Sequence, residues 1–398
     1  MTTILLSAGD QSGEMHGAEL VRTLAHRIPS ARFVGLGGKS MRAAGVDLLV
    51  DQSELAVGGL VEVASSLPRV RRALRKLIAG ALRAKPDLVV LIDSGGFNLL
   101  FARALRKRIS VPILYYIAPQ VWAWRPGRVE KLKMRADRIA VILPFEKSFY
   151  ASRGVDVDFV GHPSLDSYAK ISRTEDAVSA RSDLRADLGV SAEGPLLGIF
   201  PGSRRNEWIR HLPVQLEAFA KLRASGFAGG RLHAVIGLAP SLSRADLVRA
   251  IDECRALDQA GARAALFLAE AGDSRVLDGV DVALAKPGTI TVEAMLRGLP
   301  MVVIAQAHPV SVWIARRSVQ VKWLAMPNLI AEREIVPELH QEEATADRIA
   351  EELAPLFWGA AREAQVAALN EAKGRLGGLG ATERVAKIAE ELLETDHA

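Results

Sequence analysis

Leu88-Val89-Val90-Leu91-Ile92-Asp93-Ser94-Gly95-Gly96-Phe97-Asn98 is five apolar residues running straight into a carboxylate, a hydroxyl and two glycines. An unbroken apolar run of this length reads as a strand buried on both faces, as in parallel sheets, and the glycines mark the turn after it. Further short apolar runs lie at residues 4–7, 33–36, 113–117, 139–142 and 157–160, with helical patterns at 13–26 and 144–152 between them. A polar interlude at 167–187 has the composition of a linker followed by a helix. The alternation then restarts, with strands at Leu196–Phe200, His233–Ile236, Leu266–Leu268, Val282–Ala285 and 301–304. Strict alternation predicts parallel sheets with helices on both faces, hence an α/β chain of two Rossmann-like domains, 1–166 and 167–340. From 341 to 398 the sequence is helical and rich in Ala and Glu, broken at 377–380. This segment is expected to pack across the domains or onto a partner subunit.

Two domains also suit the length, because 398 residues exceed what one core usually supports. Apolar residues make up 49% and charged residues 24%, the proportions of a globular protein. The first ten residues turn acidic too soon for a signal peptide, and no stretch approaches the ~18–20 apolar residues of a membrane span. A protein working in the cytoplasm is expected. The single cysteine, Cys254, rules out an intrachain disulfide and any multi-cysteine metal site. Charge is uneven: residues 1–165 carry 24 Lys and Arg against 14 Asp and Glu, the remainder 27 against 32. A basic front half can attract nucleic acid, anionic lipid or an anionic substrate, and charge alone does not choose.

Four strand-end turns carry the candidate chemistry, since ligands of doubly wound sheets bind outside the carboxyl ends of the strands. Gly9-Asp10-Gln11-Ser12-Gly13 follows the first strand; it lacks the dinucleotide glycine spacing, and Asp10 and Ser12 suit sugar hydroxyls better than phosphate. Asp93 stands at a strand end where a general base could reach a substrate hydroxyl, or it caps the following helix. Pro201-Gly202-Ser203-Arg204 and Lys286-Pro287-Gly288-Thr289 each join a strand to a helix and can hold a diphosphate through Gly202, Ser203, Arg204, Gly288 and Thr289. Glu293, one turn on, could accept from ribose hydroxyls. Either turn could equally be an ordinary helix cap. Residues 68–85 form a helix with Arg69, Arg71, Arg72, Arg75, Lys76 and Arg83 around an apolar face, either a membrane-docking surface or a solvated one. Trp122 and Trp124 are core or line an apolar cleft. His162 either touches ligand or closes a turn. No histidine or Asp-x-Asp spacing suggests a metal.

Together these segments resemble the lipid-A-disaccharide synthase family of GT-B glycosyltransferases. The resemblance is carried, almost end to end, by Gly9 to Gly13, Ile92-Asp93-Ser94 with Phe97-Asn98, Pro119-Gln120-Val121-Trp122-Ala123-Trp124-Arg125, Leu143-Pro144-Phe145-Glu146-Lys147, Phe159-Val160-Gly161-His162-Pro163, Pro201-Gly202-Ser203-Arg204 with Glu207, and Met326-Pro327-Asn328-Leu329-Ile330. It implies two Rossmann-like domains facing a central cleft, and metal-independent, inverting transfer without a cofactor. The implied donor is UDP-2,3-diacylglucosamine, the acceptor 2,3-diacylglucosamine 1-phosphate (lipid X), and the products a β-1,6-linked lipid A disaccharide 1-phosphate and UDP. By position Asp93 becomes the catalytic carboxylate, Arg204 a neighbour of the donor diphosphate, and Asn328 and Glu293 residues of the nucleotide side. Asp10, Ser12, Gln120 and Trp122 become acceptor or cleft residues.

The resemblance further implies peripheral attachment to an anionic inner-membrane surface, here through Arg71, Arg72, Arg75 and Lys76, in a Gram-negative cell. It allows a homodimer through the C-terminal segment and gives no role to nucleic acid. Three departures stand out: the acidic residues of the first loop are exchanged between Asp10 and Glu14, Gly95-Gly96 replaces Pro-Asp, and Lys286-Pro287 precedes Gly288-Thr289. A different lipid acceptor on the same fold, or a UDP-sugar 2-epimerase, are the competing readings.

Overall fold

The computed structural model describes residues 1–55, 60–124, 126–172, 176–240, 242–309, 312 and 321–395. Arg125 of the tryptophan motif lies outside them. The chain divides into two compact units, Met1–Asp166 with Leu376–Ala398, and Ser167–Ile314 with Lys322–Arg375.

The first unit is built on seven strands: β1 (Thr3–Ala8), β2 (Arg32–Gly37), β3 (Val46–Asp51), β4 (Leu88–Ile92), β5 (Ile113–Tyr116), β6 (Arg138–Val141) and β7 (Asp158–Phe159). They pair in parallel in the order β3-β2-β1-β4-β5-β6-β7. Side chains alternate between the two faces. Leu5, Val89 and Leu91 enter one core with Leu77 and Phe101, while Ile4, Leu6, Val90 and Ile92 enter the other. Both faces are therefore dry, which is why the strands read as unbroken apolar runs.

The second unit repeats the plan with six strands: β8 (Leu196–Phe200), β9 (His233–Ile236), β10 (Leu266–Leu268), β11 (Val282–Ala285), β12 (Met301–Ala305) and β13 (Glu338–His340). Their order is β10-β9-β8-β11-β12-β13, again parallel. In each sheet the order reverses next to the first strand, between β1 and β4 and between β8 and β11. Such a reversal splays the two following loops apart and opens a crevice at the strand ends.

Two strands differ from the sequence expectation. β3 is an edge strand with Asp47 exposed, and β13 is three residues with polar ends, so neither shows the apolar run that marked the others. The interlude at 167–187 holds two helices, Pro163–Ser172 and Asp176–Asp187, where a linker and one helix were expected. The C-terminal segment is divided: Ala360–Gly374 belongs to the second unit, and Ala381–Thr395 to the first. There Val385, Ala386, Ile388, Ala389 and Leu393 complete one face of the first core, while Arg27 pairs with Glu383 and Glu390. No described helix is long and apolar enough to cross a membrane.

Candidate active site

The first switch point brings together the loops that follow β1 and β4. Asp10 caps the helix Gln11–Arg27, its Oδ1 accepting from the Gly13 amide at 2.7 Å. Its Oδ2 accepts from the Ser94 hydroxyl at 3.0 Å, and that hydroxyl oxygen accepts from the Gly9 amide at 3.1 Å. Both of its oxygens brace one loop against the other. Ser12 sits half-buried in the first turn of the same helix. Glu14, the exchanged acid, is buried and accepts from the Ser40 amide and from the Gln52 side chain.

Asp93 and Ser94 both have left-handed backbone, φ 45° and 46°. That conformation costs a non-glycine residue about 1–3 kcal/mol and needs surroundings that enforce it. Asn98, fully buried, supplies them: its amide nitrogen reaches the carbonyls of Ser7, Ile92 and Asp93, and its oxygen accepts from the Ser7 hydroxyl at 2.7 Å. The Tyr115 hydroxyl adds a 2.7 Å bond to the Asp93 carbonyl. A strained, doubly braced turn thus carries the half-buried Asp93 at the strand end. Beside it, a β-carbon on Gly95 would come 2.5 Å from Pro119 Cβ, whereas one on Gly96 would meet open space. Glycine at 95 therefore lets the Pro119-Gln120 turn close on the Asp93 turn. Gln120 is exposed there.

Trp122 is buried, 5% exposed, edge-on to Phe145 at 4.9 Å, and its indole N–H donates to Glu146 Oε1 at 3.1 Å. It packs as a buried residue, the core alternative of the sequence reading. Glu146 Oε2 accepts from the amides of Ile142 and Leu143. Burial pushes this carboxyl up to about 7, against the pull of those three donors and with the nearby charge of Asp93 adding to the rise. Two histidines of the first unit are lowered by desolvation: the half-buried His16 to about 4, opposed by Asp10, and the buried His162 to about 3, helped by His16. The His162 Nδ1 accepts from the Ser164 amide, so this histidine closes a turn.

At the second switch point Gly202 turns with φ 120° and the helix Arg205–Ala224 follows. Glu207 Oε2 accepts from the Ser203 and Arg204 amides at 3.0 and 3.2 Å. These are the amides expected to hold phosphate, and a carboxylate of the chain itself occupies them. Burial would raise Glu207, but Lys286, then Arg204 and the Ser203 amide, outweigh it and hold the carboxyl below its usual range. Arg204 is 62% exposed, its guanidinium 3.6 Å from Glu207. Across the reversal, Gly288 precedes the helix Thr289–Leu296, with Thr289 exposed at its start. Glu293, half-buried one turn inside, is raised by burial, with Arg297 opposing. His211 fixes the neighbouring loop, its Nε2 accepting from the Gln306 amide while Nδ1 bonds the Glu207 carbonyl.

Asn328, expected on the nucleotide side, is held by its own unit. It is fully buried; Nδ2 donates to the Val336 carbonyl and Glu338, and Oδ1 accepts from the Ile335 and Val336 amides. An asparagine has two donors and two acceptor sites, and all are used inside the protein. It fixes the Met326–Ala331 helix against β13.

The residues of the four turns, and the segments around them, can be set beside known proteins. The family described as lipid-A-disaccharide synthetase matches residues 4–390. The chain is 38% identical to the lipid-A-disaccharide synthase of Myxococcus xanthus and 39% identical to that of Geobacter metallireducens, each over 98% of this chain and 97% of the relative. It belongs to the lipid-A-disaccharide synthase family.

The fold agrees. The calicheamicin glycosyltransferase CalG4 superposes with TM-score 0.58 at 18% identity, over 99% of this chain and 98% of that one. A putative UDP-N-acetylglucosamine 2-epimerase from Listeria monocytogenes superposes at 0.61 with 14% identity, over 99% and 97%. The chain is thus a GT-B glycosyltransferase of lipid A biosynthesis, a hexosyltransferase.

A pocket of about 290 Å³ opens beside the Asp93 turn, lined by Gly9, Leu55, Val70, Ser94, Gly95 and Phe97. Val70 lies on the basic helix, which spans Leu60–Ala84, longer than the predicted 68–85 at its start. Arg71, Arg72 and Arg75 are exposed on that helix, next to the exposed Leu67. Lys76 pairs with Glu54 at 2.9 Å, so its charge is partly spent. The sequence reading gave no role to Asn98, Glu146 or Glu207. All three lay within quoted motifs, but their partners are up to 91 residues away and only the fold reveals them.

Proposed function

We propose that the chain transfers 2,3-diacylglucosamine from its UDP form to 2,3-diacylglucosamine 1-phosphate, giving the β-1,6-linked, tetraacylated disaccharide 1-phosphate and UDP. The observation that carries this reading is the placement of the four candidate turns, two at the switch point of each sheet. The first unit is assigned the acceptor, because its turns present Asp93 and a pocket partly lined by Leu55, Val70 and Phe97. The second is assigned the UDP-sugar, because its turns present Arg204, the helix start at Thr289 and the half-buried carboxylate Glu293.

Asp93 accepts the proton of the acceptor 6-hydroxyl as that oxygen attacks the anomeric carbon and the UDP oxygen departs. The strain at Asp93 and Ser94 holds the carboxylate in place before substrate arrives, which is where a fixed base gains over a mobile one. Charge growing on the departing diphosphate meets Arg204 and the amides at Gly288 and Thr289. Asp93→Asn keeps the shape and removes the base. A fall in kcat of about 10²- to 10⁴-fold, with donor KM little changed, is expected; turnover within a few-fold of the parent would remove Asp93 from this role.

Both substrates carry acyl chains, so the reaction belongs at a membrane surface, and Arg71, Arg72 and Arg75 beside Leu67 are the assigned contact with anionic lipid. On this reading the enzyme works peripherally at the inner membrane of a Gram-negative cell. A homodimer by exchange of C-terminal segments would set a second copy's Ala381–Thr395 on the sheet face that this chain's own helix covers. Light scattering on the purified protein separates one copy from two.

A further inference from the structure

Lys286 has no role in the account above, yet it lies where the two turns of the second unit meet. Its ammonium is 3.1 Å from Glu207 Oε1, and the side chain is 22% exposed. Its stem passes close to both glycines: a β-carbon on Gly202 would come 3.3 Å from Lys286 Cδ, and one on Gly288 would come 3.6 Å from Nζ. Glu207 meanwhile holds the Ser203 and Arg204 amides and attracts the Arg204 guanidinium. Two amides and two cations around one carboxylate are the surroundings that a phosphate group seeks.

We propose that Lys286 binds the diphosphate of the nucleotide-sugar donor, with Glu207 as the positioning residue that keeps its ammonium between the two turns. An ammonium has three donors, and Glu207 accepts one of them. The others face the Gly202 and Gly288 turns, where a diphosphate would lie. Lys286 then serves the departing UDP as well as the bound donor, because charge grows on that diphosphate as the glycosidic bond to it breaks. This inference rests on the assignment of the donor to the second unit, and its test separates the two.

Calorimetric titration of the full chain with UDP and, separately, with uridine provides that test. Lys286→Met and Lys286→Gln are expected to weaken UDP binding about 10- to 100-fold, the worth of a charge-assisted contact, while uridine binding stays unchanged. Lys286→Arg is expected to stay within a few-fold of the parent. Thermal melting selects whichever neutral variant is folded like the parent. In turnover, the neutral variants should raise donor KM and lower kcat together, with acceptor KM unaffected. A parent that binds no UDP overturns the donor assignment itself. A parent that binds UDP, with neutral variants binding it as well as the parent does or losing uridine equally, overturns the role of Lys286 alone.

Discussion

Two buried side chains hold the chemistry in place at the residue scale. Asn98 ties the carbonyls of Ser7, Ile92 and Asp93 to the Ser7 hydroxyl, so Asn98→Ala removes these bonds and loosens the strained Asp93 turn, whose carbonyl keeps the Tyr115 hydroxyl. A loss of about 2–4 kcal/mol in urea unfolding is expected, with turnover falling further than the loss of folded protein explains. Unchanged turnover in the folded fraction would contradict the bracing role. Glu146 makes a pH prediction. Its carboxyl holds its proton up to about 7 in the folded chain but only to its ordinary value of 4.5 when unfolded. Between those values the folded state binds the extra proton, so this group's contribution to stability is present below about 4.5 and lost as pH rises through about 7. Glu146→Gln cannot titrate. The parent should therefore lose stability relative to the variant from pH 5 to 8, by up to about 3 kcal/mol. Parallel melting curves across that range would rule it out.

At the scale of elements, the basic helix Leu60–Ala84 carries the membrane prediction. Each exposed arginine near an anionic surface is worth about 1 kcal/mol, so reversing Arg71, Arg72 and Arg75 to Glu should weaken binding to phosphatidylserine-containing vesicles at least ~100-fold. Lys76→Glu should matter less, since Glu54 already neutralises Lys76. Equal sedimentation of parent and triple variant would locate the docking surface elsewhere. The elements are also where the sequence was most readable. Leu88–Ile92 and Leu196–Phe200 are dry on both faces, and their apolar runs end where the strands end. β3 and β13 gave no such signal, because an edge or a three-residue strand needs no continuous apolar run. The four turns were legible for the same reason, being glycine and hydroxyl clusters set against those runs. Whether a turn residue faces ligand or braces the fold was not legible: Asp10, Trp122 and Asn328 are tied to partners 24 to 84 residues away, or across a local fold such as 328–338, that no local pattern announces.

At the scale of the whole molecule, two sheets share the strand order around their switch points, the proposal assigns one substrate to each, and the C-terminal helix completes the first unit. Val385, Ala386, Ile388, Ala389 and Leu393 are buried against its sheet. Removing 376–398 should uncover apolar surface worth about 5–10 kcal/mol, comparable to the net stability of a domain. Loss of cooperative melting and of soluble yield is expected; a truncated chain that melts like the parent would show the helix to be dispensable. The central claim, sugar transfer between two acylated glucosamines, is tested most directly by mass analysis of the lipid formed from UDP-2,3-diacylglucosamine and 2,3-diacylglucosamine 1-phosphate. The account predicts one tetraacylated disaccharide 1-phosphate with an equal amount of UDP, both suppressed in Asp93→Asn. UDP release without disaccharide, or product only with a different lipid acceptor, would contradict it.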